Sequence, residues 1–244
     1  MKSSRSPSAR ALVRVCFRAG LAGLVVIALD AGAQGTTFAC GPLNAASADY
    51  LVEKHQVAQS EQYHFTPEVE ALIRGKSTAT IGSDIHWMLD LYPNHHRALV
   101  AMMRLGEKQK TPMPGGAKYT VDCYFERAVR FRPDDMISRM LYASFLAKNG
   151  RRADAAAQLD VVNKNASDNP FTHYNLGLIY LEMQEYDKAL TQAHKAKELG
   201  FGRAELRDKL KAAGKWRDPD APVRVSASTN DSAPASAKAA SGAK

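Results

Sequence analysis

Residues 170–203 read PFTHYNLGLIYLEMQEYDKALTQAHKAKELGFGR. Gly177 and Ala189 lack bulk where two helices of a hairpin would cross, while Leu176, Tyr180 and Leu190 supply apolar positions at helical spacing. The segment therefore predicts an antiparallel helical hairpin. Moving back by ~34 residues puts Ala143 under Gly177, Ala155 under Ala189 and Gly150 at the turn between helices, so residues 136–169 form a second copy. Its second helix contains Asp154-Ala155-Ala156-Ala157-Gln158-Leu159.

A further step back places Val121, Phe125 and Ala128 in the second-helix positions and Pro133 where the helix must stop. The matching first helix is expected over His96 to Leu105, followed by Thr111-Pro112-Met113-Pro114-Gly115-Gly116, which cannot continue a helix. Pro93 precedes Pro133 by forty residues, and the Pro/Gly stretch accounts for the excess over a regular period. Residues 204–213, with Leu206, Leu210 and Ala213 on one stripe and Gly214 as a stop, predict a capping helix for the last apolar face.

The pattern Tyr174, Asn175, Leu176, Gly177, Tyr180, Tyr186, Ala189, Ala193 and Ala196 closely resembles a tetratricopeptide repeat. The resemblance is strong over 136–203, fair over 94–135 and absent as a repeat motif before that. The whole layout also looks like uncharacterised exported proteobacterial proteins that carry a His-Phe-Thr-Pro segment (here 64–67), a Pro-Asn-His-His segment (here 93–96) and C-terminal repeats. It implies an all-α, helical-hairpin solenoid with two clear repeats, one degenerate upstream repeat and a C-terminal cap.

The resemblance further implies a partner-binding groove lined by the first helix of each repeat. The corresponding positions are Ile137, Met140, Leu141, Ser144, Ala147 and Lys148 in one copy, and Phe171, Tyr174, Asn175, Leu178, Leu181 and Glu182 in the next. Relatives that clamp acidic C-terminal tails carry Lys or Arg and Asn there. Met140 and Ser144 replace them and only Asn175 matches, which argues against a carboxylate clamp. A mainly apolar groove suits a hydrophobic helix or extended segment. The equally open alternative is that residues 34–92 of the same chain fill it.

Upstream, Thr66-Pro67-Glu68-Val69-Glu70 reads as a helix start with a capping hydroxyl, predicting a short helix to about Arg74. Ile85, Met88, Leu89 and Tyr92 predict another over Ser83 to Tyr92. Residues 40–62 carry no clear pattern. At the N-terminus, Lys2, Arg5, Arg10, Arg14 and Arg18 precede the apolar run Ala19 to Leu29, and Ala31-Gly32-Ala33 offers a cleavage site before Gln34. Residues 1–33 thus read as a secretory signal. An uncleaved anchor is disfavoured because Arg18 and Asp30 bound only eleven residues, whereas a bilayer needs about 20. Thr37-Phe38-Ala39 before Cys40 lacks the Leu of a lipid-attachment box. The expected organisation is signal 1–33, N-terminal segment 34–93, helical domain 94–216, and an Ala/Ser/Pro-rich tail 217–244 that cannot repay the entropy of ordering.

The chain has 244 residues, 45% hydrophobic and 24% charged, with formal charge +8, of which +4 stays after removal of residues 1–33. That balance argues against a nucleic-acid partner. No segment beyond the signal approaches membrane-spanning length, which argues against a permease. Cys16 leaves with the signal, so Cys40 and Cys123 face an oxidising compartment. A bridge between them and two separate thiols stand as even alternatives.

His95 and His96 are neighbours, pointing about 100° apart on a helix, which favours a helix-start or packing role over metal ligation. His64, His86, His173 and His194 lie scattered without partners at zinc spacing and read as core filling. Haem-attachment, zinc-hydrolase and nucleophile-elbow motifs are absent, and Gly115-Gly116-Ala117-Lys118 reads as a turn rather than a phosphate loop. The expectation is a periplasmic scaffold or adaptor with no catalytic residue, no metal and no cofactor, engaging another envelope protein. One alternative is an accessory subunit of an envelope transport or secretion system. Another is a ligand carrier or enzyme whose site gathers His64, His86, His95 and His96 between the N-terminal segment and the repeats.

Overall fold

A computed structural model describes residues 39–219. The signal reading over 1–33, and all of the predicted tail after 219, lie outside the described residues. Ten helices occur in the described part: α1 Lys54–His64, α2 Pro67–Glu70, α3 Ile81–Leu91, α4 His96–Gln109, α5 Val121–Phe131, α6 Met136–Lys148, α7 Arg152–Asn165, α8 Pro170–Glu182, α9 Tyr186–Glu198 and α10 Glu205–Ala212. None is long and apolar enough to cross a membrane.

The arrangement is all-α and repeat-like. Helices α6 and α7 form one hairpin and α8 and α9 the next, while α4, α6, α8 and α10 pack in sequence, each against the one before. Ala143, Ala155 and Ala189 are fully buried. A Cβ on Gly177 would stand 2.4 Å from Leu206 Cδ2 of α10, and 3.4 Å from both Ala189 O and Gln192 Cβ. The small positions therefore face neighbouring helices, and the last of them receives the cap.

Each second helix enters the next first helix through the same turn. His95 N donates to Tyr92 O at 3.0 Å, Asp135 N to Arg132 O at 3.1 Å and Asn169 N to Ala166 O at 3.2 Å. The last residue of each turn then caps the following helix: His95 Nδ1 accepts from Ala98 N, Asp135 from Ile137 N and Ser138 N, and Asn169 from Phe171 N and Thr172 N. These side chains satisfy amide groups that a helix start would otherwise leave bare. Because α3 feeds α4 by this turn, the junction pattern begins before residue 94. The apolar core likewise runs without a break from Val57 to Leu210.

The degenerate unit departs from the regular ones at its crossing. Met103 occupies the register position of Ala143 and Gly177, and the close approach moves one helical turn on, where a Cβ on Gly106 would sit 2.9 Å from Val121 Cγ2 and 3.2 Å from Thr111 O. Helix α4 accordingly runs past Leu105 to Gln109. The Pro/Gly stretch that follows is tied down, with Val121 N donating to Pro112 O at 2.8 Å. Thr80 Oγ1 and Ser83 Oγ donate to Gly115 O and Gly116 O, both at 3.3 Å, so the insertion buttresses the start of α3.

Two local expectations are corrected. The helix begun at Pro67 ends at Glu70 rather than near Arg74, since Leu72 adopts φ +58° and turns the chain. Thr66 stands at its N-cap but its side chain makes no capping hydrogen bond. The region without a clear pattern contains α1, whose only buried residue is Val57.

Cys40 and Cys123 are joined, with S–S 2.07 Å and Cα–Cα 5.1 Å. The bridge fastens the start of the described chain to α5. Arg127, buried on the same helix, reinforces the attachment: it donates to Pro42 O and, at 3.1 Å, to Asp90 Oδ1, while Arg130 Nη2 reaches Gly41 O at 2.7 Å.

Candidate functional site: the face of the first helices

The turn geometry sets a common register for α4, α6 and α8. Two residues after each cap come Arg97, Ile137 and Phe171, followed by Ala101, Leu141 and Asn175, then Arg104, Ser144 and Leu178. Ile137 is 48% exposed and Phe171 is 60% exposed. Both are large apolar side chains at equivalent positions of successive units, left uncovered by the N-terminal segment. Beside Ile137, the facing surfaces of α4 and α6 leave a trough of about 220 Å³ with Val100, Ala101 and Leu141 in its lining, Arg97 and Arg104 along α4, and Glu70 of α2 at one edge.

The remaining groove positions divide by exposure. Lys148, Asn175 and Glu182 are exposed, and Leu141, Ser144, Ala147, Leu178 and Leu181 are half-buried. Lys148 Nζ stands 3.5 Å from Glu107 Oε1, and Ser144 Oγ donates to Glu182 Oε2 at 3.2 Å, so polar links tie α6 to its neighbours on both sides.

Met140 and Tyr174 do not line an open groove. Met140 is 6% and Tyr174 5% exposed. Tyr174 is covered by the approach to the cap, its ring 4.7 Å from that of Phe201 and its hydroxyl donating to Glu205 Oε2 at 3.1 Å. Burial, then the neighbouring Glu205 carboxylate, pushes its phenol above the ordinary value. The capping helix thus closes what the repeat register alone leaves open.

The N-terminal segment reaches the trough only at its edge. Glu70 pairs bidentately with Arg97, which also reaches Glu61 Oε1 at 3.2 Å. The Arg97 hydrogen bond holds the Glu70 carboxyl below its usual range and raises the guanidinium in return. Arg97 is consequently a fixed wall of the trough, pinned by two carboxylates and lying over Phe65 at 5.3 Å. Positions 97, 100, 101 and 104 escape a reading confined to the two regular copies, yet the spacing from His95 supplies them once the insertion is discounted.

The histidines do not converge. His95 is fully buried and caps α4. Since Nδ1 accepts from Ala98 N, its proton sits on Nε2 and is donated to Glu61 Oε1 at 2.9 Å. Burial lowers the His95 pKa, with Glu61 partly opposing it. His96 Nε2 lies 2.8 Å from Asp135 Oδ2, a carboxylate that Ser138 Oγ also approaches at 2.9 Å. His64 Nδ1 meets Asp84 Oδ1 at 2.9 Å, and Lys76 N and Thr78 N donate to the same fully buried carboxylate. His173 joins Gln192 Oε1 at 2.7 Å and Ser167 O at 2.9 Å, which holds the turn before α8. His194 stacks edge-on against Trp216.

Core filling therefore understates His64 and His173, while His95 takes the helix-start place expected of it. His64, His95 and His96 pair with carboxylates 20 to 39 positions away, contacts that no local spacing announces. His64 ends α1 and pairs with Asp84 of α3, His86 lies on α3, and His95 and His96 stand at the start of α4. Among the described residues no group of three or more His, Cys, Asp or Glu side chains could hold a metal ion. Comparison with protein-family models, with curated proteins and with solved structures finds no match.

Proposed function

We propose that the protein is a tetratricopeptide-type scaffold or adaptor of the cell envelope, exported to the periplasm under the signal read over residues 1–33 and released after Ala33. Its partner is an apolar helical or extended segment of another envelope protein, laid across the face of α4, α6 and α8. The carrying observation is the pair Ile137 and Phe171, exposed large apolar residues at equivalent places in successive units. Isolated exposed apolar side chains are commonplace, but a repeated one beside an apolar trough with a basic wall is a typical anchor arrangement. The burial of small residues at both hairpin crossings supports the tetratricopeptide reading.

Photoreactive residues placed at Ile137 and Phe171 in cells test the proposal, with Lys164 on α7 as the control position. One discrete adduct common to both groove positions and missing from the control is expected. Labelling equal at all three positions, or none at Ile137 and Phe171, overturns the scaffold reading. An accessory subunit of a transport or secretion system differs only in which protein the adduct contains.

A further inference from the structure

Helix α3 carries two faces. Ile85, Met88 and Leu89 point into the core, whereas Ser83, His86, Trp87 and Asp90, spaced i, i+3, i+4 and i+7, share the other side. Together with Asn44, Thr78 and Leu91 they line an open cleft of about 470 Å³, within the roughly 300–1,000 Å³ of small-molecule sites. The cleft lies on different helices from the Ile137 trough and is independent of the proposed scaffold role.

Three observations give it a chemistry. First, Trp87 is 38% exposed, and one face of its indole is stacked on His64 at 3.9 Å and 13°. His64 is in turn fixed by the buried Asp84, so the exposed part of the indole borders the cleft as a rigid aromatic platform. Second, the polar groups are held in position. Asn44 Nδ2 donates to Asp90 Oδ2 at 2.8 Å, and Asp90 Oδ1 accepts from buried Arg127 at 3.1 Å. His86 Nδ1 lies 2.9 Å from the Tyr124 hydroxyl, which already accepts from Lys118 N at 3.2 Å. The phenol proton is then free to face Nδ1, leaving the His86 proton on Nε2 as a donor.

Third, the lining is charge-balanced. Arg127 offsets Asp90, and burial keeps His86 toward its neutral form. A phosphate or carboxylate ligand finds no unpaired cation in this lining, and an ammonium ligand finds Asp90 engaged. An aliphatic ligand would cover the His86 Nε2–H without offering it an acceptor, which is costly. A sugar ring meets all three conditions: its C–H face, weakly positive, suits the negative π-face of indole, and its hydroxyls both donate and accept.

We infer that the α3 cleft binds a neutral saccharide, with one ring stacked on Trp87 and its hydroxyls held by Asn44, His86 and Asp90. The test is saturation-transfer NMR and calorimetry on the full chain with glucose, N-acetylglucosamine and cellobiose, using phosphate and free lysine as competitors. Saturable binding of at least one sugar, with a dissociation constant of about 1 mM, is expected. Trp87→Ala should weaken it at least about tenfold, while Trp87→Phe, which keeps a platform, stays within about threefold of the parent. Asn44→Ala, at an exposed position, provides the same reading should Trp87→Ala fail to fold. No saturable signal with any of the three sugars overturns the inference. So does binding unchanged in both Trp87→Ala and Asn44→Ala, or competition by phosphate or lysine as effective as by sugar.

Discussion

The two regular hairpins, α6 to α9, and the N-terminal third, residues 39 to 95, are held together by different physics. In the hairpins, small side chains let neighbouring helices approach, and the contacts join residues close in sequence. In the N-terminal third the partners are distant and polar: Cys40 with Cys123, Pro42 with Arg127, Asp49 with Arg132, and Asp49 Oδ1 with Asn94 Nδ2 at 2.8 Å. Segments as short as α2 bury too little apolar surface to dock alone, so long-range bonds and a covalent link supply what packing does not. The contrast teaches that one continuous core can contain a part that stacks from local contacts and a part fastened onto it.

The largest blow to that fastening is loss of the bridge. Closing a separation of 83 residues restricts the unfolded chain by an amount worth about 4.5 kcal/mol in the chain-entropy account. Cys40→Ser is expected to lower unfolding free energy toward that extent in denaturant titration. Hydrogen exchange should show lost protection over residues 39–95 first, with α6 to α9 retaining theirs. Uniform loss across both parts would erase the distinction.

Asp84→Ala comes next. It strips a buried carboxylate from His64, Lys76 N and Thr78 N, and breaking a buried hydrogen-bonded pair costs about 3 to 5 kcal/mol. The same titration measures it, and thermal melts followed by far-ultraviolet circular dichroism should agree in direction. Gly177→Leu attacks the other region: bulk aimed at Leu206 and Gln192 overpacks the α8–α9–α10 meeting point and is expected to cost about 1 to 3 kcal/mol. An unchanged melting temperature would contradict a close crossing there.

How far these regions could be read in advance follows from the same contrast. Ala143, Ala155, Gly177 and Ala189 announce themselves because their spacing repeats, and the structure buries all four. Gly106 does not, since the degenerate unit shifts its crossing by one turn and leaves Met103 in the expected place. The junction at Tyr92 to His95 is legible through the spacing of Pro93 to Pro133, although its cap is a histidine where the later copies use Asp and Asn. Of the candidate groove, Ile137 and Phe171 follow from register alone. Burial of Tyr174 depends on Phe201 and Glu205, which belong to the cap and not to the repeat. The His64–Asp84 and His96–Asp135 pairs needed the tertiary fold to bring their halves together.

The mildest expected effect concerns acidity. Burial holds the His95 and His86 pKa values below the ordinary 6.5. Their sites in the unfolded chain take up protons as pH falls through that value while the folded sites resist. Stability is therefore expected to decline on acidification below about 6.5 and to level off beneath the folded values. His95→Gln should flatten part of this slope. Asp135 acts in a separate window: burial raises its pKa, but the bonds from His96 and Ser138 prevail and hold it below 3.8. Its contribution is present above that value and fades as pH drops through its lowered folded pKa. A pH profile of urea midpoints checks both.

The link between Cys40 and Cys123 also makes a closed ring of everything from α1 to α4. A protease that nicks the chain anywhere between those cysteines, for instance in the turn around Lys76, releases no fragment. The two pieces travel as one until a thiol reagent opens the ring, so electrophoresis with and without reductant would register cleavage that size alone conceals.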